Sequence, residues 1–456
     1  MSRALTFATL FASLAAAASI AACSGEGPEG PPGPTGQPGA PGATGPTGPA
    51  GATGPTGPAA LADGGVDAIS PVSCLQPCHG FGNIVDQWKF SGHFRVSAMA
   101  ADEPVWTTAG AACGMCHAVD GLPRRVAGTV GSVPGGDTPK NIQQGHLNYK
   151  NATGQVVEAT YTGFGKNAII HCQTCHTIDA SNDPHRTGTF TLGTIPLRVA
   201  AGADDVSYIE KSPDTTAVTG QEAGKLKQGN TCVFCHKSRK DVTFYILPNE
   251  GTTPKNAITS PFWGPHEGPQ ADIFSSKGGY HTAGLTYGTS MHATISAGCP
   301  SCHMQKNPAT ADLPDHSMIP QLTFCKTCHT TYTGSTYDIF GGQTVSRNLL
   351  KELQSLLNAK GLLTRSETAP YGALEPSMLT DGAYHLDRAR PSVPATGGGT
   401  TPNVVDERTA GALYNYFVIA RGRDFGIHNP LYSKQLLWDS INYIKGSAPT
   451  ALPSRP

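Results

Sequence analysis

The sequence predicts a mainly α chain with extensive irregular loops, stapled by cofactors and closed by a C-terminal helical bundle. Three observations carry this. Twelve of the 13 cysteines fall into six close pairs, each followed at once by His. Across residues 71–340 the chain is rich in Gly, Pro, Thr and Asn and keeps no sustained helical or strand period. From residue 341 onward, apolar residues recur at helical spacing instead. With 55 Gly, 37 Pro and only 7% aromatics, side chains able to build a conventional core are scarce. Lys+Arg 32 against Asp+Glu 33 leaves a formal charge of −1. Nucleic acid is therefore excluded as a partner, since phosphate binding needs a basic face. No apolar run of transmembrane length follows the N-terminal segment.

Residues 1–22 read as a secretory signal: Arg3 precedes an Ala- and Leu-rich stretch that runs to Ala22. Its end, Ile20-Ala21-Ala22-Cys23, resembles the bacterial lipoprotein cleavage box. That resemblance implies that Cys23 becomes the first mature residue and carries acyl chains, with residues 23–26 as the lipid-anchored start. Several acyl chains hold a protein stably at a bilayer, where one alone is marginal. Ser24 rather than Asp follows the cysteine, which in such lipoproteins implies sorting to the outer membrane.

Residues 27–59 form a collagen-like spacer in which every third residue from Gly27 to Gly57 is Gly. Such a run has almost nothing to bury. It either winds with two further copies, because only Gly fits the axis of a collagen triple helix, or stands alone as a polyproline-like tether. The first alternative makes the protein a homotrimer. Either way the spacer spans roughly 100 Å at ~3.1 Å per residue. Residues 60–70 are a linker.

The region 71–340 contains the six Cys-pair motifs. They are Cys74/Cys78/His79, Cys113/Cys116/His117, Cys172/Cys175/His176, Cys232/Cys235/His236, Cys299/Cys302/His303 and Cys325/Cys328/His329. Five are Cys-x-x-Cys-His, the c-type haem attachment pattern, and the first has three residues between its cysteines. Two thiols add to the two vinyl groups of one porphyrin, and the adjacent imidazole reaches the iron as proximal ligand. Structural zinc or exported disulfides would use the cysteines but leave the His that follows every pair without a purpose. The motifs thus predict six haem c groups and a haem-stapled region of short helices and long loops.

Ten histidines remain for the opposite side of the irons: His93, His146, His171, His185, His266, His281, His292, His316, His385 and His428. Several lie in stretches that resemble bacterial multihaem cytochromes of the nitrite-reductase-like superfamily. These are Trp263-Gly-Pro-His266-Glu-Gly-Pro-Gln270-Ala-Asp272, Ser290-Met-His292, Asp315-His316-Ser317 and Arg423-Asp424-Phe-Gly-Ile-His428-Asn429-Pro430. Asp183-Pro184-His185 has the same look. The resemblance implies distal ligands at His93, His185, His266, His292, His316 and His428, with His146 in reserve. His281 and His385 read as structural, while His171, beside Cys172, could serve a neighbouring haem. Met99, Met304 or Met318 could replace an imidazole and raise a potential. The catalytic Cys-x-x-Cys-Lys motif of the nitrite reductases is missing, Lys326 lying between the cysteines of the sixth motif. No catalytic residue is assigned.

In residues 341–456, Val345, Leu349, Leu353, Leu356 and Leu357 predict a helix ending near Gly361. Asp406 is set to cap a second, with Ala410, Leu413, Phe417 and Ala420 on one face. Asn429-Pro430 opens a third that carries Leu436, Leu437, Ile441 and Ile444. The three form an amphipathic bundle supplying one distal ligand, His428. The expected function is electron transfer rather than catalysis, in the periplasm or on the cell face of the outer membrane. Expected partners are other redox proteins and extracellular metal acceptors. Two propionates per haem would make the holoprotein roughly 6 to 12 units more negative, favouring partners with basic patches. The alternatives are a reductase of a small oxidised substrate, which needs one open haem, and a cytochrome filament.

Overall fold

The computed structural model describes residues 78–79, 83–94, 116, 121–126, 148–150, 156–158, 170–190, 193–199, 229–238, 242–247, 256–295, 297–306, 313–364 and 388–456. The chain divides into two units, Met1–Gly65 and Val66–Pro456, and every described residue belongs to the second. The signal, Cys23, the spacer and the linker lie outside the described residues. So do Cys74, Cys113, His117, His146 and His385.

The first part of the described chain is built from short helices. They are α1 (Ile84–Phe90), α2 (Gly121–Val126), α3 (Cys172–Cys175), α4 (Pro184–Thr187), α5 (Asn230–Val233), α6 (Val242–Tyr245), α7 (Gln270–Phe274), α8 (Cys299–His303) and α9 (Leu322–Cys328). Four of them, α3, α5, α8 and α9, carry motif cysteines. Cysteines at i and i+3 share one side of a helical turn, which suits two bonds to one flat group. Pro300 stands in the first turn of α8, where its missing N–H costs no hydrogen bond. His171 caps α3 by accepting from the Gln173 N–H (3.2 Å), while its own N–H donates to the Thr174 hydroxyl (3.2 Å). Isolated helices this short do not persist in water, so these depend on what they are tied to.

Three longer helices follow: α10 (Gly342–Ala359), α11 (Glu407–Gly422) and α12 (Pro430–Lys445). Leu349, Leu350, Leu353 and Leu357 bury one stripe of α10, and Gly361 follows its end with φ +70°. Asp406 caps α11 by accepting from the Thr409 N–H (2.9 Å) and hydroxyl (2.6 Å). Asn429 caps α12 and holds it to the preceding loop. It accepts from the Ser290 N–H (3.0 Å) and donates to the Ser276 hydroxyl (2.7 Å).

Two expectations need correction. Helix α11 is not amphipathic: every residue from Thr409 to Gly422 is buried. It packs on α10, α12 and α7, and Tyr414 lies against Trp263 and Tyr245 with centroids 6.1 and 5.6 Å apart. The compositional change near residue 340 is also no boundary in packing. Ile246, Ile258, Trp263 and Ile273 share one core with α10, α11 and α12. A two-residue ladder, β3 (Asn256–Ala257) on β8 (Val404–Val405), stitches the same parts together. Three further antiparallel two-stranded ladders pair β1 (Asn148–Lys150) with β2 (Val156–Glu158), β4 (Leu363–Thr364) with β5 (Arg388–Ala389), and β6 (Ser392–Pro394) with β7 (Thr400–Pro402).

A helix does not hold both members of every cysteine pair. Helix α5 stops at Val233, so Cys232 is helical while Cys235 falls in the turn that follows. The Cys235 N–H donates to the Cys232 carbonyl (3.2 Å), a bond from i+3 to i that tightens the end of the helix. Cys235 is half-buried and packs against a small apolar cluster of Leu122, Val199, Val233, Phe234 and Ala271. In the second motif Cys116 is helical and half-buried, and it stands among the described residues without Cys113 and His117.

Close packing at α11 gives a direct test. A Cβ on Gly411 would overlap the Tyr280 ring. Tyr280 is pinned by its backbone N–H, which donates to the Asn415 side-chain oxygen (2.7 Å), and by its hydroxyl, which donates to Glu407 (3.0 Å). Gly411→Ala is therefore expected to destabilise the fold by about 1–3 kcal/mol despite its better helix propensity. A chemical-denaturation midpoint equal to wild type would contradict this.

Candidate metal centres

Eight described histidines share one polar habit. Each directs Nδ1 to an acceptor, so Nδ1 carries the proton and donates. The acceptors are the Ile195 carbonyl for His176 (3.3 Å), Glu267 for His266 (2.8 Å), Ile427 for His292 (2.6 Å), Met318 for His303 (2.9 Å) and Pro314 for His316 (2.8 Å). His236 donates to the Gln270 side-chain oxygen (3.1 Å), His185 to Asp183 (3.0 Å) and His428 to Asp424 (2.8 Å). An imidazole held this way keeps its Nε2 lone pair for a metal, and outer partners of this kind fix both tautomer and ring direction. Burial favours the neutral form of His176, His236, His292, His303 and His316 by lowering each pKa, as ligation requires. Burial alone would raise the Asp424 carboxyl. Hydrogen bonds from His428 and Gly426 outweigh it and hold the group below its usual range.

Five His–His ring contacts occur among the described residues. Their centroid separations are 5.8 Å for His79–His185, 5.9 Å for His93–His236, 6.3 Å for His176–His316, 6.1 Å for His292–His329 and 6.1 Å for His303–His428. Ordinary aromatic contacts fall in the same distance range, so separation alone decides little. Composition decides more: each pair joins one motif histidine to one histidine outside the motifs. A metal–imidazole bond is about 2 Å, with the ring centre about 1.1 Å beyond the nitrogen, so two imidazoles across one iron stand about 6.2 Å apart. The residues therefore fit a haem iron held from both sides.

Among the described residues no group of three or more His, Cys, Asp or Glu gathers to hold a metal. The imidazoles come in twos, the number of axial positions that a porphyrin leaves on its iron.

The pairs lace distant parts of the chain together. His93, just beyond α1, faces the fourth motif, while Gln87 of α1 accepts from the His316 N–H (3.0 Å) opposite the third. His185, from α4, faces the first motif. Arg198 donates to the Gln173 carbonyl (2.6 Å) and the His176 carbonyl (2.8 Å), and Val199 bonds the Thr231 hydroxyl beside Cys232 (3.3 Å). That couples motifs three and four. The Gly229 backbone abuts Cys299, where an added Cβ would lie 3.1 Å from Sγ, coupling four and five. Ile427 accepts from His292 beside His428, coupling five and six.

No disulfide joins any of the ten described cysteines: Cys78, Cys116, Cys172, Cys175, Cys232, Cys235, Cys299, Cys302, Cys325 and Cys328. Cys116 and Cys235 stand with the rest in this, although the two differ from each other in local backbone. Desolvation pushes the Cys175 thiol up to about 12 and Cys302 to about 11, so both rest as thiols rather than metal-binding thiolates.

The remaining histidines differ in kind. His281 stacks on Tyr287 with centroids 4.2 Å apart and spends Nε2 on the Tyr432 hydroxyl (2.8 Å), the nitrogen a metal would need. His171 serves as the α3 cap. His266 is anchored like the ligand candidates, while His117, the motif histidine outside the five pairs, is not among the described residues. Sequence reading missed the acceptors behind the rings. Gln270 and Asp424 stood inside noted stretches, whereas the backbone carbonyls have no residue-type signature.

No protein-family model matches this chain, and neither does any curated protein or solved structure.

Proposed function

We propose that the chain is a multihaem c-type cytochrome of the electron-carrying kind. More particularly, it is a hexahaem carrier tied to the outer membrane through Cys23 and working on the periplasmic or cell-surface side. The observation that carries this reading is the set of five mixed ring pairs, seven of whose ten imidazoles spend Nδ1 on an acceptor and leave Nε2 for iron. Cys74 with Cys78, Cys113 with Cys116, Cys232 with Cys235 and the other three cysteine pairs would hold the porphyrins. His79, His117, His176, His236, His303 and His329 are then proximal ligands. His185, His266, His316, His93, His428 and His292 are the respective distal ones, with His117–His266 assigned by elimination.

When bound, each haem supplies a one-electron ferric–ferrous couple. The chain fixes eight of the twelve imidazoles through a second hydrogen bond, keeps both axial positions filled by nitrogen, and draws neighbouring motifs into contact. Filled axial positions leave no place for substrate, which sets this reading against a reductase. The resemblance of the His266, His292, His316 and His428 stretches to the nitrite-reductase-like superfamily supports the same assignment. Among the described residues no helix is long and apolar enough to cross a membrane. Partners in this reading are donor and acceptor redox proteins and extracellular metals.

A pyridine haemochrome assay on the exported protein is expected to give six haems per chain. Its electron paramagnetic resonance spectrum should be wholly low-spin. Far fewer haems would end the proposal, and a stoichiometric high-spin iron would turn it toward a reductase.

A further inference from the structure

We infer that Asp424 is a positioning residue that holds the reduction potential of the His303–His428 iron below that of the neighbouring His292–His329 iron. This rests on the haem reading above. Two centres share the loop after α11 yet are backed differently. His428 donates Nδ1–H to the Asp424 carboxylate at 2.8 Å, and that side chain is only 2% exposed. The carboxylate also accepts from the Gly426 N–H (3.1 Å) and the His428 N–H (3.3 Å), so its direction is fixed. Three residues along, the Ile427 carbonyl receives His292, a neutral acceptor in place of a charged one.

A full negative charge on the far nitrogen gives the imidazole imidazolate character and makes it the stronger donor to iron. A stronger donor favours the ferric state, and a buried carboxylate acts through little solvent screening. Of the eight anchored histidines only His185 shares a carboxylate acceptor, and its ring is 77% exposed, so water screens Asp183. The Glu267 carboxylate lies 3.8 Å from the His266 Nδ1, beyond hydrogen-bond distance and at a half-exposed position, and the other carbonyl- and amide-backed rings have no carboxylate acceptor on Nδ1. One loop thus sets a potential step between two adjacent centres.

The test is a spectroelectrochemical titration of the six-haem protein. Asp424→Asn keeps the side-chain shape and removes the charge. One potential of six is expected to rise by a tenfold change in its reduction equilibrium, about 59 mV for one electron. Asp424→Glu should bring it most of the way back, and Asp183→Asn should move its own centre less. In a His428→Ala background, Asp424→Asn should shift none of the remaining potentials. Six unchanged potentials with Asp424→Asn would overturn the inference. So would an equal shift in the Asp424→Glu protein, which would mark the residue as a scaffold only.

Should Asp424→Asn fail to fold, His428→Ala gives the same decision. The potential it removes from the low-spin set should be lower than the one removed by His292→Ala, and the reverse order would overturn the inference. Loss of the haem reading shows separately, as a haem count below six in the wild-type protein.

Discussion

Made without haem attachment, the protein is expected to keep its C-terminal helices and lose ordered structure across the motif region. The apolar core explains the asymmetry. Its main cluster draws on α10, α11 and α12, with Ile246, Ile258, Trp263 and Ile273 from earlier in the chain. Among the described residues the motif region owns a small second cluster, Leu122, Val199, Val233, Phe234 and Ala271. Helices α3 and α5 have four residues each and α8 five, far below the length that stands alone in water. Binding that occurs only in the folded state lends its free energy to that state, and on the proposed reading six covalent staples with two axial bonds each would lend a great deal.

Replacing the twelve motif cysteines by Ala removes the staples. Amide hydrogen exchange should then show protection retained in 342–359, 407–422 and 430–445, and lost in 172–176, 230–236 and 299–303. Equal protection of the motif helices with and without haem would sink the idea.

The readable parts of this protein are those where one residue type has one physical meaning. Asp406 and Asn429-Pro430 mark helix starts that fall where the structure has them. His281 and His171 could be set apart as structural or doubtful, and the structure gives each a non-metal task. Less legible was which histidine faces which motif. His93 follows the first motif and faces the fourth, and nothing local to His93 records that. Nor does the motif spacing say where its helix ends: the same two-residue gap lies wholly inside α3 and runs past the end of α5 at Cys235. The burial of α11 on all sides was hidden because its polar residues Asn415 and Arg421 are satisfied by distant partners. Asn415 bonds Tyr280, and Arg421 donates to the carbonyls of Trp263 and Pro265. Polar residues in a periodic pattern look solvent-facing until those partners are known.

The pairing itself yields the sharpest expected result, because it can be counted without assigning any spectrum to any haem. His93→Ala should leave five low-spin irons of six, and so should His236→Ala. If the two rings flank one iron, as their 5.9 Å separation and the Gln270 anchor on His236 imply, the double variant should still have five. Were they on different irons, it would have four. His79→Ala with His93→Ala forms the contrasting case: both sit near the first motif in sequence, yet they face different partners, so four low-spin irons are expected. Magnetic circular dichroism in the near infrared, scaled to haem content, gives the count. The same logic applies to His176 with His316 and to His303 with His428, whose partners are likewise distant in the chain. A count of four in the His93–His236 double variant would dissolve that pair, and with it the claim that α1 helps to build the fourth centre.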